Sequence, residues 1–580
     1  MKLTDIDSNI LAKAQLWTGE NFDPETRKQV KQLMDENPAE LFESFYTDLE
    51  FGTGGLRGIM GVGSNRMNKY TVGMATQGLA NYVNKMFKGP AQNKIAIAYD
   101  SRNNSKYFAQ VAAEILSAND CKVYLFENLR PTPELSFAVR YLGCQSGIVI
   151  TASHNPKEYN GYKVYWDDGG QLVSPHDVNV IEEVRMITSP DLVKFTAKPE
   201  NIELIESAVD AAYLSQVKKL TFIPELIHKN KDFSIVYTAL HGTGITLVPK
   251  ALKEFGFENI TLVDEQAIPD GNFPTLKSPN PEEQAALSMA IEKAKQINAE
   301  LVLATDPDAD RVGIAVKNDK GEFVLLNGNQ TASLLIYYLL TQWKKAGKLQ
   351  GEEFIVKTIV TSELLAEIAK KFGVEYFDVL TGFKYIAEVI QKYKGLKTFI
   401  GGGEESYGYL VSDFVRDKDA VISCCMIAET AIFAKELGMS LYTLLLRIYK
   451  EYGLYYESLL SITKKGKSGA DEIKHMMEDF RSNPPQTINN SKVTTIKDYK
   501  LQKEILMADK SEKPIRLPKS DVLQFFTDDG SKITVRPSGT EPKIKFYFGI
   551  RAQLNNVAEF EKIEQQCKDK IESIKADLKL

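Results

Sequence analysis

Short apolar runs and longer amphipathic segments alternate along most of the chain, and this pattern predicts strands and helices in turn. The β-branched runs Ile95–Tyr99, Gly147–Ile150 and Phe233–Tyr237 have the composition of buried strands. Segments Glu282–Ile297 and Gln330–Ala346 are longer and have an apolar face, so we expect helices there. Alternation of this kind is typical of α/β proteins.

Three successive regions follow the same plan, in which an apolar strand ends in a polar loop that carries glycine or aspartate. The repetition predicts three related α/β units. From about residue 455, short alternating strands and a charged amphipathic helix predict a smaller α+β domain. The predicted boundaries are 1–205, 206–320, 321–453 and 454–580.

Several shorter segments carry local signals. Asp23-Pro24 is typical of a helix start, and residues 1–50 are predicted to be helical. We predict a glycine-rich loop at Phe51–Gly58, a hairpin turn at Asn160-Gly161 and a flexible loop at Lys464–Gly469.

Composition and charge indicate an ordinary globular protein of 580 residues with 43% hydrophobic and 26% charged residues. The net charge of −6 provides no general attraction for nucleic acid or an anionic membrane, and nothing indicates an obligate protein partner. The five cysteines show no Cys-x-x-Cys spacing, so we expect a reducing, cytoplasmic compartment. Ala420–Ala434 is the longest apolar segment, but it contains Glu429 and is too short to span a bilayer, so we expect a core helix.

Ser153 lies in the loop Thr151–Pro156 at a predicted strand end, which is where α/β sheets place chemistry. Taken alone, a serine in such a loop more often stabilises a turn. A catalytic interpretation of Ser153 therefore depends on the other polar loops.

The segment Asp306–Asp310 alternates carboxylates, a pattern that favours a hard divalent cation. An EF-hand is excluded, because its loop has Gly at position six and Glu at position twelve. Counted from Asp306, these positions are Arg311 and Lys317. An aspartyl-phosphate phosphatase would use Asp308 as its nucleophile. The third interpretation is a Mg²⁺ site formed by Asp306, Asp308 and Asp310. It is favoured because carboxylates this close repel one another without a cation.

Two further loops provide groups for a phosphorylated sugar. A guanidinium, two hydroxyls and a glycine N–H form a nest for a phosphate dianion, here Arg536, Ser538, Thr540 and Gly539. Glu404 and Ser406 follow three glycines and offer acceptors that suit sugar hydroxyls. Each loop alone could be a plain turn, but together they indicate phosphoryl transfer on a sugar phosphate held at both ends.

The same four loops resemble those of the α-D-phosphohexomutases in order and spacing, over nearly the whole chain. The matching segments are Thr151–Pro156, Asp306–Arg311, Gly403–Ser406 and Arg536–Glu541. The resemblance implies four domains around a central cleft: three mixed-sheet α/β units and a C-terminal α+β domain like the TATA-binding protein. It also implies Mg²⁺ and a phosphoserine at position 153.

The resemblance further implies a mechanism in which phosphorylated Ser153 donates to a hexose monophosphate and is rephosphorylated by glucose 1,6-bisphosphate, the intermediate and activator. Asp306, Asp308, Asp310 and an oxygen on Ser153 would bind Mg²⁺. Lys163 and Arg57 match family positions for proton transfer, and a cation-rich site is expected to lower the pKa of Lys163. The expected substrate or phosphate contacts are His154, Arg311, Lys384, Glu404, Ser406 and the Arg536–Thr540 nest.

The expected reaction interconverts glucose 1-phosphate and glucose 6-phosphate. The loop sequence Glu404-Glu405-Ser406 resembles that of the phosphoglucomutase branch, whereas Tyr407 departs from the Phe or Gly common there, so phosphomannomutase and phosphopentomutase activity remain open. A metal-dependent phosphatase and a non-catalytic sugar-phosphate sensor are the alternatives from other classes.

Overall fold

The computed structural model describes residues 3–52, 54–464, 466–538 and 543–580. Three helices precede the first sheet, as predicted, and Asp23 caps the second of them through the N–H of Thr26. They are α1 Ser8–Leu16, α2 Pro24–Glu36 and α3 Pro38–Phe45.

The first unit contains a six-stranded sheet in the order β1-β5-β4-β2-β3-β6. Strands β2, β3, β4 and β6 run parallel, whereas β5 is antiparallel to both β4 and β1. Its elements are β1 Gly55–Ile59, α4 Lys69–Met86, β2 Lys94–Tyr99, α5 Ser105–Ala118, β3 Lys122–Phe126, α6 Thr132–Tyr141, β4 Ser146–Ile150, β5 Tyr159–Trp166, α7 His176–Arg185 and β6 Ile202–Ile205.

The second unit contains a five-stranded sheet in the order β11-β10-β9-β7-β8. Strands β7, β8 and β9 are parallel, and β10 is antiparallel to its neighbours β9 and β11. The elements are α8 Ser207–Lys218, α9 Pro224–Lys229, β7 Ile235–Thr238, α10 Val248–Phe255, β8 Ile260–Leu262, α11 Gln284–Gln296, β9 Leu301–Thr305, β10 Val312–Lys317 and β11 Phe323–Leu326.

The third unit contains a four-stranded sheet in the order β13-β12-β14-β15, with β15 antiparallel. The predicted core helix is the buried α15. The elements are α12 Gly328–Lys345, β12 Glu353–Thr358, α13 Leu364–Phe372, β13 Glu375–Val379, α14 Phe383–Lys392, β14 Thr398–Gly403, β15 Tyr409–Val411, α15 Ala420–Glu436 and α16 Leu441–Tyr452.

The fourth unit is an antiparallel sheet in the order β16-β23-β22-β21-β18-β19-β20, with β17 paired to β18. The elements are β16 Leu454–Thr463, α17 Gly466–Ser482, β17 Thr487–Ile488, β18 Ser491–Asp498, β19 Lys503–Leu506, β20 Glu512–Pro514, β21 Leu523–Thr527, β22 Lys532–Pro537, β23 Lys543–Ala552 and α18 Phe560–Asp577. Three α/β units and a C-terminal α+β unit confirm the predicted fold class.

Strand alternation explains why the first sheet is buried on both faces. In β2, Ile95 and Ile97 point into a core that belongs to the first unit, whereas Ala96 and Ala98 join a second core. That second core is continuous and contains side chains from all four units. Among the described helices, none is both long and apolar enough to cross a membrane.

Three local predictions were wrong in whole or in part. Asn160-Gly161 lies inside β5, and the second half of the predicted glycine-rich loop, Gly55–Gly58, lies inside β1. Gly401–Gly403 also lie in a strand, β14. At Gly161 the reason is close backbone approach, because a Cβ there would lie 2.5 Å from the carbonyl oxygen of Thr151. The predicted flexible loop is wrong as well, because α17 begins at Gly466.

Candidate active site

Three of the predicted loops join a parallel strand to the antiparallel strand beside it. The β4–β5 loop contains Ser153, the β9–β10 loop contains the three aspartates, and the β14–β15 loop contains Glu404 and Ser406. Each loop follows the carboxyl end of a strand, where α/β sheets bind ligands. Residues from all three loops and from the fourth unit line one cleft of about 870 Å³.

Ser153 is held in an uncommon backbone conformation. Its φ of 53° is left-handed, and its N–H donates to the hydroxyl of Thr151 at 2.8 Å. The side chain is buried, and its hydroxyl donates to Oδ2 of Asp306 at 2.7 Å. The serine of the first unit therefore contacts the acidic loop of the second unit directly.

The side chain of Arg102 binds the backbone of the β4–β5 loop, which we call the serine loop. Its guanidinium donates to the carbonyl oxygens of Ser153 at 2.5 Å, Pro156 at 2.8 Å and Tyr159 at 3.1 Å, and to that of Asn155. One planar cation thus satisfies four carbonyl groups along the loop.

Arg102 is itself held from both sides. Its Nε lies 3.4 Å from Asp100, and both side chains are fully buried. The ring of Phe273 from the second unit packs on the guanidinium at 5.1 Å. Sequence reasoning missed Arg102, although its position just beyond β2, the strand beside β4, was an available signal.

The three aspartates form the one cluster of potential metal ligands among the described residues, with ligand atoms within 4.8 Å of one another. All three are buried, and Oδ1 of Asp308 and of Asp310 has no hydrogen-bond partner. Buried carboxylate oxygens without partners are costly, and hard oxygen donors suit Mg²⁺. The donor set therefore fits a divalent cation.

Hydrogen bonds fix the aspartate loop in place. The backbone N–H groups of Asp310 and Arg311 donate to Oδ1 of Asp306 at 3.1 and 3.0 Å. The hydroxyl of Thr132 donates to Asp308 at 2.9 Å. Burial, with Asp308 and Asp310 nearby, raises the pKa of Asp306 well above its ordinary value, as expected for carboxylates crowded together.

Lys163 lies on β5 with its ammonium 2.7 Å from Asp308 and 3.3 Å from Asp310. The prediction that its pKa is lowered was wrong. Burial lowers the pKa, but the two carboxylates raise it by more, and the pKa lies above its ordinary value. The charged groups with the largest effect on Lys163 are carboxylates, and not the cations that we predicted.

Lys418 is a second lysine at this centre, and sequence reasoning missed it. Its ammonium lies 3.2 Å from Asp310 and 3.3 Å from Asp417, and it lines the cleft. Burial lowers its pKa, but Asp310 and Asp417 raise it above the ordinary value. The charged run Arg416–Asp419, directly before an apolar helix, was the available signal.

His154, Arg57 and Arg311 line the cleft together with Ser153. Nδ1 of His154 lies 3.2 Å from the Ser153 hydroxyl. Burial and the nearby Arg311 and Arg57 lower the pKa of His154 well below its usual range, which keeps the ring neutral. The guanidinium of Arg311 pairs with Glu282 at 2.7 Å.

The β14–β15 loop, residues 404–408, which we call the sugar loop, contains two glutamates that both line the cleft but have different hydrogen-bond partners. Glu404 is buried and accepts from the N–H of Gly382 at 2.8 Å, and it lines the cleft with Ser406. The carboxylate of Glu405 accepts hydroxyl bonds from Thr358 and Thr361, both at 3.2 Å. Glu405 therefore ties the loop to its own unit.

The opposite end of the cleft is lined by cations of the fourth unit. Arg536 and Ser538 of the predicted nest are there, whereas Gly539 and Thr540 lie outside the described residues. Lys545 is paired with Arg536 across β22 and β23, and Lys543 also lines the cleft; sequence reasoning missed both. Burial, followed by repulsion from Arg536 and Lys543, lowers the pKa of Lys545.

Lys384 is the predicted site residue that lies apart from this set. Its ammonium is 3.6 Å from Asp177 of the first unit, and the lining of the cleft contains its neighbours Gly382 and Phe383 instead. A substrate contact by Lys384 stays a prediction.

Models of one protein family match the four units in order. Those described as phosphoglucomutase/phosphomannomutase alpha/beta/alpha domains I, II and III match residues 48–191, 211–321 and 327–452. The model of the C-terminal domain of that family matches residues 489–565.

Curated relatives and solved structures resemble the chain along most of its length. A phosphoglucomutase of Staphylococcus haemolyticus is 38% identical over 528 residues, 90% of this chain and 93% of the relative. One of Staphylococcus aureus is 39% identical over 542 residues, 93% of this chain and 95% of the relative. A putative phosphomannomutase from Thermus thermophilus has a TM-score of 0.65 at 20% identity, covering 92% of this chain and 98% of that one. Parafusin, a phosphoglucomutase from Paramecium, has a TM-score of 0.66 at 19% identity, covering 91% and 96%. The two structures show a shared fold.

Proposed function

The chain belongs to the phosphoglucomutase/phosphomannomutase family of isomerases, and from that premise we propose that it interconverts glucose 1-phosphate and glucose 6-phosphate through a phosphoserine at Ser153. The observation that carries the proposal is the hydrogen bond of 2.7 Å between the Ser153 hydroxyl and Asp306 of the aspartate cluster. It supports the proposal because the serine that would carry the phosphate lies beside carboxylates that could hold a cation.

Asp306, Asp308 and Asp310 would hold the cation, which we propose to be Mg²⁺, together with an oxygen of the phosphorylated serine. Bound there, the cation supplies charge neutralisation at the phosphoryl group. Three carboxylates and a phosphate of about −1.5 to −2 outweigh one divalent cation, so further positive charge is needed. Lys163, Lys418, Arg57 and Arg311 are cations that line the cleft and could supply it.

We assign the remaining roles from position in the cleft. Glu404 and Ser406 bind sugar hydroxyls, and Arg536 and Ser538 hold the phosphate that does not react. Lys163 and Arg57 are the candidates to move the proton of the sugar hydroxyl. Neutral His154, beside the serine hydroxyl, contacts the phosphoryl group.

A mutase must use both ends of its substrate in turn. After the first transfer the sugar carries two phosphates, as glucose 1,6-bisphosphate, and it must exchange its ends before the second phosphate returns to Ser153. A cleft with chemistry at one end and a cluster of cations at the other suits this exchange, because either phosphate can occupy either end.

The test measures kcat/KM with the 1-phosphates of glucose, mannose and ribose, in the presence of Mg²⁺ and the matching bisphosphate. We expect the highest kcat/KM with glucose 1-phosphate. A higher value with mannose or ribose 1-phosphate would transfer the assignment to that sugar. Net release of inorganic phosphate that survives Ser153→Ala would instead indicate a phosphatase.

A further inference from the structure

One short segment of the third unit touches both the sugar loop and the fourth unit. It comprises residues 358–363, between β12 and α13. On one side, the hydroxyls of Thr358 and Thr361 donate to Glu405 of the sugar loop, each at 3.2 Å. Both threonines are fully buried, so this side of the segment is fixed to the loop that would recognise the sugar.

The other side of the segment is an ionic contact with the fourth unit. The carboxylate of Glu363 lies 2.5 Å from the ammonium of Lys532, which is on β22, and 3.1 Å from that of Lys357 on β12. Lys532 also donates to the carbonyl oxygen of Ile359 at 3.1 Å, and Gln524 donates to the same oxygen at 2.8 Å. Two side chains of the fourth unit thus converge on one backbone oxygen.

Apolar packing surrounds this contact. Ile359, Val360 and Leu380 of the third unit form a small separate core with residues of the fourth unit. The partners on the fourth unit are Tyr499, Val522 and Tyr547. The ion pair between Glu363 and Lys532 therefore lies beside apolar surface, and this packing fixes the alignment of Glu363 with Lys532.

Strand β22 connects this contact with the phosphate end of the cleft, because it contains both Lys532 and Arg536. Lys532, Thr534 and Arg536 occupy alternate positions of this strand and share one face. Lys532 and Arg536 are four residues apart, which is about 13 Å along a strand. Because β22 is hydrogen-bonded to β21 and β23 on both sides, a shift at Lys532 moves Arg536 with it.

The two lysines beside Glu363 stabilise its ionised form. Burial raises the pKa of Glu363, but Lys532 and Lys357 lower it well below the ordinary value. Lys357 is fully buried and has a second partner, Asp378, at 2.8 Å. Replacing Glu363 by glutamine would therefore leave Lys357 paired with Asp378 and remove the ion pair with Lys532, whose hydrogen bond to Ile359 would remain.

We propose that Glu363 is a positioning residue, which fixes the phosphate-binding cations of β22 and β23 relative to the sugar loop through Lys532. The inference rests on the proposed function for the identity of the ligand, a sugar phosphate. Glu363 and Lys532 both line the cleft, so the inference requires that Glu363 act through Arg536 rather than on the substrate itself.

A double-mutant cycle tests this requirement. In Glu363→Gln, the displaced cations lose part of a charge-assisted bond to phosphate, so we expect KM for the sugar phosphate to rise about tenfold with little change in kcat. In an Arg536→Ala background, the same substitution is expected to add little. Equal effects in both backgrounds would overturn the proposal, because general destabilisation does not depend on Arg536.

Two further variants serve as controls. Lys532→Met removes the other partner of the pair and also a cation that lines the cleft, so its rise in KM is expected to be at least as large as that of Glu363→Gln. Lys320→Gln removes another contact of the fourth unit, the exposed pair between Lys320 and Glu561 on α18, and is expected to leave KM unchanged. A comparable rise in KM in Lys320→Gln would contradict a specific role for Glu363.

A distance measurement separates this inference from the proposed function. The five native cysteines are buried, so single cysteines at the exposed Gln391 and Lys562 can carry spin labels on the third and fourth units. We expect Glu363→Gln to shift or broaden the distance distribution, and Lys320→Gln to leave it unchanged. Absence of turnover in the unmodified protein would refute the proposed function alone, whereas an unchanged distribution in Glu363→Gln would refute the positioning role.

Discussion

The two ends of the cleft hold charge in different ways. At the serine end, Lys163 and Lys418 are buried and lie against carboxylates, and Arg102 is saturated by carbonyl groups. At the opposite end, Arg536, Lys543 and Lys545 crowd together on two paired strands, and the crowding contributes to the lowered pKa of Lys545. At the serine end the cations contact protein carboxylates and carbonyl groups, whereas at the phosphate end burial and neighbouring cations disfavour the charge of Lys545.

This difference predicts that the serine end affects mainly the rate of the chemical step and the phosphate end mainly the binding of the substrate. A preorganised set of dipoles and charges lowers the barrier of a reaction step, whereas an excess of cations attracts an anion. Losses at the serine end are therefore expected in kcat, and losses at the phosphate end in KM. Three substitutions test this division and a fourth tests the pH dependence of stability, in descending order of expected effect.

Ser153→Ala removes the proposed carrier, and we expect turnover to fall by at least about a thousandfold. The direct measurement is incorporation of ³²P from labelled glucose 1,6-bisphosphate, with intact mass to count phosphates. Labelling at the level of the unmodified protein would place the carrier elsewhere. Binding of the bisphosphate should persist, because the opposite cations are untouched.

Arg102→Lys tests whether the serine end depends on the shape of one cation. An ammonium cannot reach the four carbonyl groups that the guanidinium satisfies, so the loop should shift and kcat fall about a hundredfold. KM should change little. A thermal melt serves as the control, and a kcat close to that of the unmodified protein in a folded Arg102→Lys variant would show that the carbonyl contacts do not position Ser153.

Lys545→Gln removes one cation of the phosphate end. Losing one charge-assisted bond to the phosphate dianion should raise KM about tenfold and leave kcat within about twofold. Lys545→Arg is the matched control and should retain most of the affinity. If Lys545→Gln lowered kcat as much as Arg102→Lys does, the proposed division between the two ends would fail.

Glu457 gives the phosphate half of the cleft a dependence on pH. Burial raises its pKa from 4.5 to about 7, with Ser362, Lys532, Glu363 and Lys357 as the facing groups. The folded state therefore binds more protons than the unfolded state in this range, and stability is lost as the pH rises from 4.5 to about 7. Urea unfolding across this range should show a smaller loss in Glu457→Gln, and identical slopes would contradict the assignment.

The sequence was sufficient for the residues that act as contiguous loops. Thr151–Pro156 and Asp306–Arg311 carry their chemistry in adjacent positions, and the structure brings them within hydrogen-bond distance. Arg102, Lys418 and Lys545 were not predicted as site residues, because each becomes relevant only through partners distant in sequence. Lys163 was located from its motif, but the direction of its pKa shift depends on two aspartates of another unit.

Glycine misled the prediction of loops for a similar reason. Gly161 and Gly402 lie in strands, where a Cβ would lie 2.5 Å from the carbonyl oxygen of Thr151 and 2.2 Å from that of Val356. A glycine-rich segment therefore indicates close approach as well as turning. Only the neighbouring strand, which the local pattern does not contain, decides between the two.

Helix α15 has a consequence for how the chain can be divided. It is buried along nearly its whole length, and it packs against α10 of the second unit and α12 of the third. Glu429 on this helix accepts hydrogen bonds from Phe222 at 2.9 Å and from Tyr338 at 2.6 Å, which belong to those two units. The second and third units thus share one cooperative folding block, although they contribute separate chemical loops. Expression of either unit alone would expose apolar surface, and circular permutation or splitting of this protein should keep α10, α12 and α15 in one fragment.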